Sequence, residues 1–258
     1  MYWACFAMVC LGAVELAAAS GAGDRLAAHL RFLAACTTFC PLMAVLGARR
    51  PQHRGWQWVV VSLLGVLAFY GLTEMAVWPG PPAPPDIVRW LLIAPLIAMG
   101  LLNHLPTRFW ASAVLVAVGQ VALFAPIFPQ LAWLVVRALD WLPTAGVGLL
   151  SLAACLAALG IPRSTAAAND TTSYDRLWLD YRDAFGSFWA MRILVRFNDT
   201  AGRCNWPVTL TWQGFLDPHG GSIARLDPTT DAALQQALAS LLRRFVDHEW
   251  MEARRFER

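Results

Sequence analysis

Between residues 2 and 161 the chain is a succession of long apolar runs divided by short gaps rich in Pro, Gly and Arg. A helix needs about 20 mostly apolar residues to cross roughly 30 Å of hydrocarbon. Six runs satisfy that length and predict six spans, at about 2–20, 26–48, 56–78, 87–105, 109–128 and 143–161. Arg49-Arg50-Pro51, Pro79-Gly80-Pro81-Pro82 and Pro106-Thr107-Arg108 mark three of the gaps. Residues 131–142 are too short to span and carry Arg137 and Asp140, so they read as an interfacial helix or a lead-in to the sixth span. Ala17-Ala18-Ala19-Ser20-Gly21 resembles a leader-cleavage site, but the first run has Glu15 within it and no basic start, and it reads as a retained span. Small-residue pairs four apart, Ala94/Ala98, Ala113/Ala117, Ser151/Cys155 and Ala154/Ala158, suit close helix contact in lipid.

After residue 162 the pattern changes. Ser173 caps a helix expected to reach about residue 198, with Leu177, Tyr181, Phe185, Phe188 and Val195 on one side and Trp178 and Trp189 widening the apolar face. Val208-Thr209-Leu210-Thr211-Trp212 alternates as a half-buried strand, Asp217-Pro218-His219-Gly220-Gly221 is a turn, and residues 222–226 form the expected return strand. Asp227-Pro228 starts a last helix, with a capping carboxylate and Pro at its first position. The expected fold is mainly α: a six-helix transmembrane bundle over 1–162, followed by a small α+β helix–hairpin–helix cytoplasmic domain over 163–258.

Composition sharpens this division. Hydrophobic residues make up 58% of the chain and charged ones 14%, against about 25% charged in soluble domains. Thirteen charges fall in the first 162 residues and 24 in the last 96, which sets the boundary near Pro162 and excludes an ordinary soluble enzyme. All twenty basic residues are Arg, and no basic run with interleaved aromatics points to nucleic acid. Asp24/Arg25, Asp86/Arg89 and Arg137/Asp140 balance on one side of the membrane, whereas Arg49, Arg50, Arg54, Arg108 and Arg163 are unbalanced on the other. Excess Arg in short loops marks the cytoplasmic side. The expectation is therefore a bacterial inner-membrane protein with both termini in the cytoplasm.

Ionisable groups inside spans are costly and become candidates for function. At about 1.5 Å per residue, Glu15, Arg31, Glu74 and His29 lie roughly 6, 9, 10 and 12 Å to the outer side of mid-span. This layer suits a proton, cation or anion site, or a structural Glu–Arg pairing. On the second span His29, Cys36, Cys40 and Met43 follow one another at intervals of 7, 4 and 3, with side chains of the kinds that bind copper(I) or haem iron. His29 and Met43 are about 21 Å apart along a helix, so only Cys36 and Cys40 could share an ion. A packing stripe of small residues accounts for the same spacing, and no cofactor is required. Gln120, alone and polar near mid-membrane, suits an interhelical hydrogen bond, while Asn103 and His104 suit a helix end. His219 beside Asp217 reads as a loop histidine.

Residues 40–51 and Asn103-His104-Leu105-Pro106-Thr107-Arg108, together with Tyr181-Arg182-Asp183-Ala184-Phe185-Gly186 and Trp212-Gln213-Gly214-Phe215, resemble a family of bacterial multi-pass membrane proteins. That resemblance implies a topology and no catalytic activity. There is no phosphate loop, HExxH, paired CxxC or GxSxG motif in the chain. The first expectation for function is a non-enzymatic scaffold or assembly subunit whose cytoplasmic domain docks a protein partner through its broad apolar helix. The alternative is a small-solute, haem or metal-handling protein that uses the outer layer and the Cys-bearing span.

Overall fold

A computed structural model describes residues 2–21, 23–47, 54–77, 87–125, 141–160, 173–221 and 226–256. The fold is mainly helical. The first part contains α1 (Tyr2–Ala19), α2 (Asp24–Thr37), α3 (Cys40–Leu46), α4 (Arg54–Val77), α5 (Ile87–His104), α6 (Trp110–Phe124) and α7 (Leu142–Gly160). The second contains α8 (Ser173–Arg203), a two-stranded antiparallel ladder of β1 (Thr209–Leu210) and β2 (Phe215–Leu216), α9 (Pro228–Leu242) and α10 (His248–Phe256). Residues 131–140, most of the expected return strand and the 163–172 linker lie outside the described residues.

Among the described residues three helical stretches, not six, are long and apolar enough to cross a membrane: Tyr2–Ala19, Leu26–Leu46 and Leu142–Gly160. The other three expected spans coincide with shorter apolar segments, Gly55–Phe69, Leu91–His104 and Trp110–Phe124. The helices that hold the first two of these segments run further, over Arg54–Val77 and Ile87–His104, and the chain beyond Ala125 falls outside the described part. Large apolar side chains point outward, with Leu16 74%, Trp58 72% and Leu159 66% exposed. Such a surface is a liability in water and the natural one against acyl chains.

The second expected span is interrupted. Pro41 has no N–H, and its ring excludes a helical carbonyl four residues back at Thr37, where α2 ends. Tighter three-residue hydrogen bonds, Thr38 N–H to the Ala35 carbonyl at 3.0 Å and Phe39 N–H to the Cys36 carbonyl at 3.2 Å, carry the chain into α3. Gln120 on α6 reaches this break and donates to the Thr38 hydroxyl at 3.1 Å and the Thr38 carbonyl at 3.4 Å. The interhelical hydrogen bond expected of Gln120 is thus present, and its acceptors lie at the break between α2 and α3.

The most extensive helix contact joins α6 to α7. A Cβ placed on Gly119 would stand 3.1 Å from the Gly146 carbonyl, and one on Gly146 would stand 2.9 Å from that of Gly119, so only two glycines permit this approach. The α7 side of the contact runs through Gly146, Leu150 and Ala153. Cys155 and Ala158 face outward instead and Ala154 borders a cavity, which corrects the expectation for the small pairs of the last span.

Two separate apolar cores result, one inside the bundle around Phe39, Phe124 and Val60, the other around Tyr181, Phe197 and Leu238. In the second, Tyr181, Phe185 and Phe245 meet at centroid separations of 5.0 to 5.5 Å. Burial pushes the Tyr181 phenol above its ordinary range, so it is neutral at physiological pH. The hairpin is tighter than expected: β1 keeps only Thr209 and Leu210, and the return strand is Phe215–Leu216. Asn198 fixes β1 by exchanging two 2.8 Å hydrogen bonds with the Leu210 backbone, and Asp175 accepts the Phe215 N–H at 2.7 Å. The last expected helix is two, divided by a turn at residues 243–247.

The long helix is also two. At Gly186 the backbone takes φ +77° and ψ −176°, far from helical. Asn103, fully buried at the end of α5, occupies the opening. Its Nδ2 donates to the Phe185 carbonyl at 3.3 Å and its Oδ1 accepts the Phe188 N–H at 3.1 Å. One amide side chain therefore replaces backbone bonds that the break removes. A Cβ on Gly186 would lie 2.2 Å from Asn103 Nδ2.

Asn103→Leu leaves the Phe185 carbonyl and Phe188 N–H buried without those partners, and an unmade buried bond costs about 1–3 kcal/mol. Thermal unfolding in lipid nanodiscs should show a clear loss of stability for Asn103→Leu, and a larger one for Gly186→Ala, which adds strain to the same clash. A second prediction concerns pH. The Thr229 hydroxyl, then the Thr230 N–H, hold the Asp227 carboxyl below its ordinary value as the N-cap of α9. A lowered folded pKa contributes stability above the unfolded pKa, about 3.9, and loses it as pH falls through the folded value. The melting difference between wild type and Asp227→Ala should hold from pH 7 to 5 and shrink below about pH 4.

Candidate functional site

Of the expected outer layer, two members meet. Arg31 Nε donates to Glu15 Oε1 at 2.9 Å and Arg31 Nη2 to Glu15 Oε2 at 3.1 Å, a fork-to-fork pair between α1 and α2. Thr144, at the start of α7, donates to Glu15 Oε2 at 3.4 Å. His29 is buried, but it precedes Arg31 by two residues and so projects about 200° away around the helix. It does not join the pair. Glu74 falls in α4, and its side chain lies outside the described residues. What remains in contact is a neutralised acid–base pair with a hydroxyl, the arrangement that lets two charges sit near lipid.

Cys36 and Cys40 are both fully buried, on either side of the α2–α3 break. Their surroundings are apolar: Phe39, which stacks on Phe124 at 5.6 Å, with Leu11, Met43 and Ala44 in the same core. Among the described residues no group of three His, Cys, Asp or Glu side chains stands together to hold a metal ion. The break also ends the single helical face on which His29, Cys36, Cys40 and Met43 were expected to align.

A site that the motifs do not announce lies at the opposite end of the bundle. A partly open cavity of about 410 Å³ is lined by α1, α3, α5, α6, α7 and the start of α8. Ligand sites commonly measure about 300–1,000 Å³ and are mainly apolar with a few placed polar groups. On α6 the lining runs from Phe109 to Gln120, roughly 16 Å at 1.5 Å per residue. Ala113 and Ala117 form the wall between these ends, and Ala7 of α1 and Ala153 of α7 contribute others. The deep end is polar, with Gln120 and Thr38. So is the other end, where His104, Ser112 and Asp183 line it.

That second end is shaped by charge. Asp183, only 3% exposed, receives Arg108 Nε at 3.3 Å and Arg182 Nη2 at 2.9 Å. Arg108 also lies 3.6 Å from Asp180, and Arg182 Nη1 donates to the Trp212 carbonyl at 2.9 Å. Two Arg and two Asp balance, so the rim is polar without net charge. His104 stands beside it. Its Nε2 lies 3.3 Å from Asn103 Nδ2, whereas Nδ1 is buried and has no hydrogen-bond partner among the described residues. Asn103 and His104 were expected as helix-end groups; they instead serve the Gly186 opening and the cavity. The Ala113/Ala117 pair was visible in the sequence, but small residues at that spacing mark a cavity wall as readily as a helix contact.

Removing one member of the Glu15–Arg31 pair strands the other near lipid. Fully buried pairs lose about 3–5 kcal/mol on such removal, and partial exposure here reduces that to on the order of 1–3 kcal/mol. Arg31→Leu and Glu15→Leu should each lower the melting temperature in nanodiscs, and the double variant should recover part of the loss. Strictly additive losses would assign the pair no coupling.

No protein-family model, no curated protein and no solved structure matches the chain, so neither a family nor an activity comes to it by comparison.

Proposed function

We propose that this chain is a multi-pass protein of the bacterial inner membrane that binds a single-chain amphiphile in the cavity between its bundle and its C-terminal unit. The carrying observation is the cavity itself: about 410 Å³, walled by Ala side chains, with Thr38 and Gln120 at one end and His104, Ser112 and Asp183 at the other. An acyl chain gains from the apolar wall by leaving water, about 0.8 kcal/mol per CH₂. A hydrogen-bonding head group meets His104 Nδ1 at the charge-balanced rim, while bulk charge on the ligand gains little there.

The topology in this proposal takes α1, the α2–α3 pair, α4, α5, α6 and α7 as six spans, with both termini cytoplasmic. Unbalanced Arg residues on one side support it. So does the sharing of one cavity by Ala4 near the start of α1, Val45 near the end of α3, His104 at the end of α5 and Asp183 of the C-terminal unit. Those ends lie together, and Glu15, Arg31 and Thr144 gather elsewhere. The broad apolar helix that suggested a protein-docking scaffold has most of its breadth taken up internally, by the aromatic core and by contacts such as Trp189 Nε1 to the Val45 carbonyl at 3.2 Å.

The test uses full-length protein in nanodiscs with a fluorescent polyene fatty acid and, as competitor, a monoacylglycerol of equal chain length. Wild type should bind the probe saturably and release it to the competitor. Ala117→Phe, which fills the wall, should weaken binding at least about tenfold, near 1.4 kcal/mol. Leu156→Phe, on an outward position of α7, should leave it unchanged. Equal binding by all three folded proteins would reduce the signal to lipid around the bundle and overturn the proposal.

A further inference from the structure

The part of α8 beyond Gly186 carries an apolar surface that neither core uses. Phe188, Met191 and Val195 are 50%, 50% and 52% exposed, whereas Ala190, Ile193, Phe197 and Ala201 on the other side are buried in the second core. At about 100° per residue the three exposed side chains fall within roughly 60° of one another. Arg192, Arg196 and Arg203 follow along one flank of that stripe, about 40–80° around the helix from Phe188. Among the described residues none of these three makes an ion pair. Arg192 lies over the Trp189 ring at 5.7 Å. Asp199 sits between stripe and flank, so the local balance is three cations to one anion.

The stripe begins at the rim of the bundle. Ser187 Oγ donates to the Leu102 carbonyl at 3.2 Å, and Leu102 and Leu105 of that rim are themselves 57% and 43% exposed. Outward apolar side chains of α5 and Phe188 thus stand on either side of the Ser187 contact. Trp189 and Asn103 hold this start of the segment against α3 and α5. An apolar stripe flanked on one side by Arg is the pattern of a helix lying in the headgroup layer, with its apolar side at the acyl boundary and its cations on lipid phosphates.

The geometry points to a bilayer-surface contact: residues 187–203 lie along the membrane that the bundle occupies, Phe188, Met191 and Val195 entering the acyl boundary and Arg192, Arg196 and Arg203 binding anionic headgroups. This does not depend on what the cavity holds. It gives the C-terminal unit a second attachment, to lipid, beside its attachment to α5.

The experiment places dansylalanine, one site at a time, at positions 188, 191 and 195 of the full-length protein, with Ser240 on an exposed turn of α9 as the reference site. Each protein is reconstituted in nanodiscs of phosphatidylglycerol or of phosphatidylcholine, with and without doxyl-labelled lipid. All three stripe positions should emit blue-shifted light and lose most of it to the doxyl quencher, while position 240 keeps a water-like spectrum. Arg192→Gln/Arg196→Gln should weaken quenching at 191 and 195 in phosphatidylglycerol and leave phosphatidylcholine unaffected. A water-like spectrum at 191 and 195 overturns the inference, as does quenching confined to 188. Burial of 191 and 195 that needs a second copy or an added protein, and not lipid, equally overturns it. An unchanged double-Gln variant overturns the assignment of the Arg flank to headgroups.

Discussion

One buried amide ties the two halves of this molecule together. Asn103 ends α5 and fills the opening at Gly186, where a helix otherwise continuous from Ser173 to Arg203 abandons helical geometry. The bond pair matters because the break leaves the buried Phe185 carbonyl and the partly buried Phe188 N–H without helical partners. It is also demanding, since only glycine accepts the positive φ and the approach of the Asn103 side chain. Its position brings Asp183, one turn earlier, onto Arg108 at the end of the bundle. Trp189 on Val45 and Trp212 on the Pro106 carbonyl follow from the same placement. The cavity rim is thus a product of the join and belongs to neither half alone.

Within the bundle, polarity is rationed by depth. Glu15 and Arg31 neutralise each other at one end, the Thr38–Gln120 bond satisfies a helix break further in, and the Arg108–Asp183 cluster closes the other end. In lipid the driving force for helix contact is close packing and hydrogen bonding, because the surroundings are as apolar as the side chains. The bundle uses both. Its closest contact is made by glycine, and its central polar group finds its partner at the α2–α3 break.

Much of this was legible in residues whose effects are local. The apolar runs located the helices of the first part, Asp227-Pro228 located a helix start, and Glu15 with Arg31 gave a pair because opposite charges in neighbouring spans have few other solutions. Gln120 was legible for the same reason. What escaped depends on long-range placement. Gly186 sits in a run with continuous helical periodicity, and nothing nearby announces that an Asn more than eighty residues earlier in the chain will enter there. Pro41 does signal the α2–α3 break, yet the apolar run across it reads as one span. His29 shares depth with Arg31 and not direction, a distinction that depth alone cannot draw. The cavity was least visible of all, since Ala113 and Ala117 look alike whether another helix or an empty volume faces them.

The glycine contact between α6 and α7 has a mechanical side. Where two backbones touch, there is no side chain to rotate and no slack for one helix to roll on the other. Gly119 and Gly146 therefore make a stiff plank of two helices, and that plank supplies the Ala113, Ala117 and Ala153 wall. Any change in the width of the cavity then falls to its other walls, which α1, α3, α5 and the start of α8 build through Ala7, Leu42, Leu101 and Ala184.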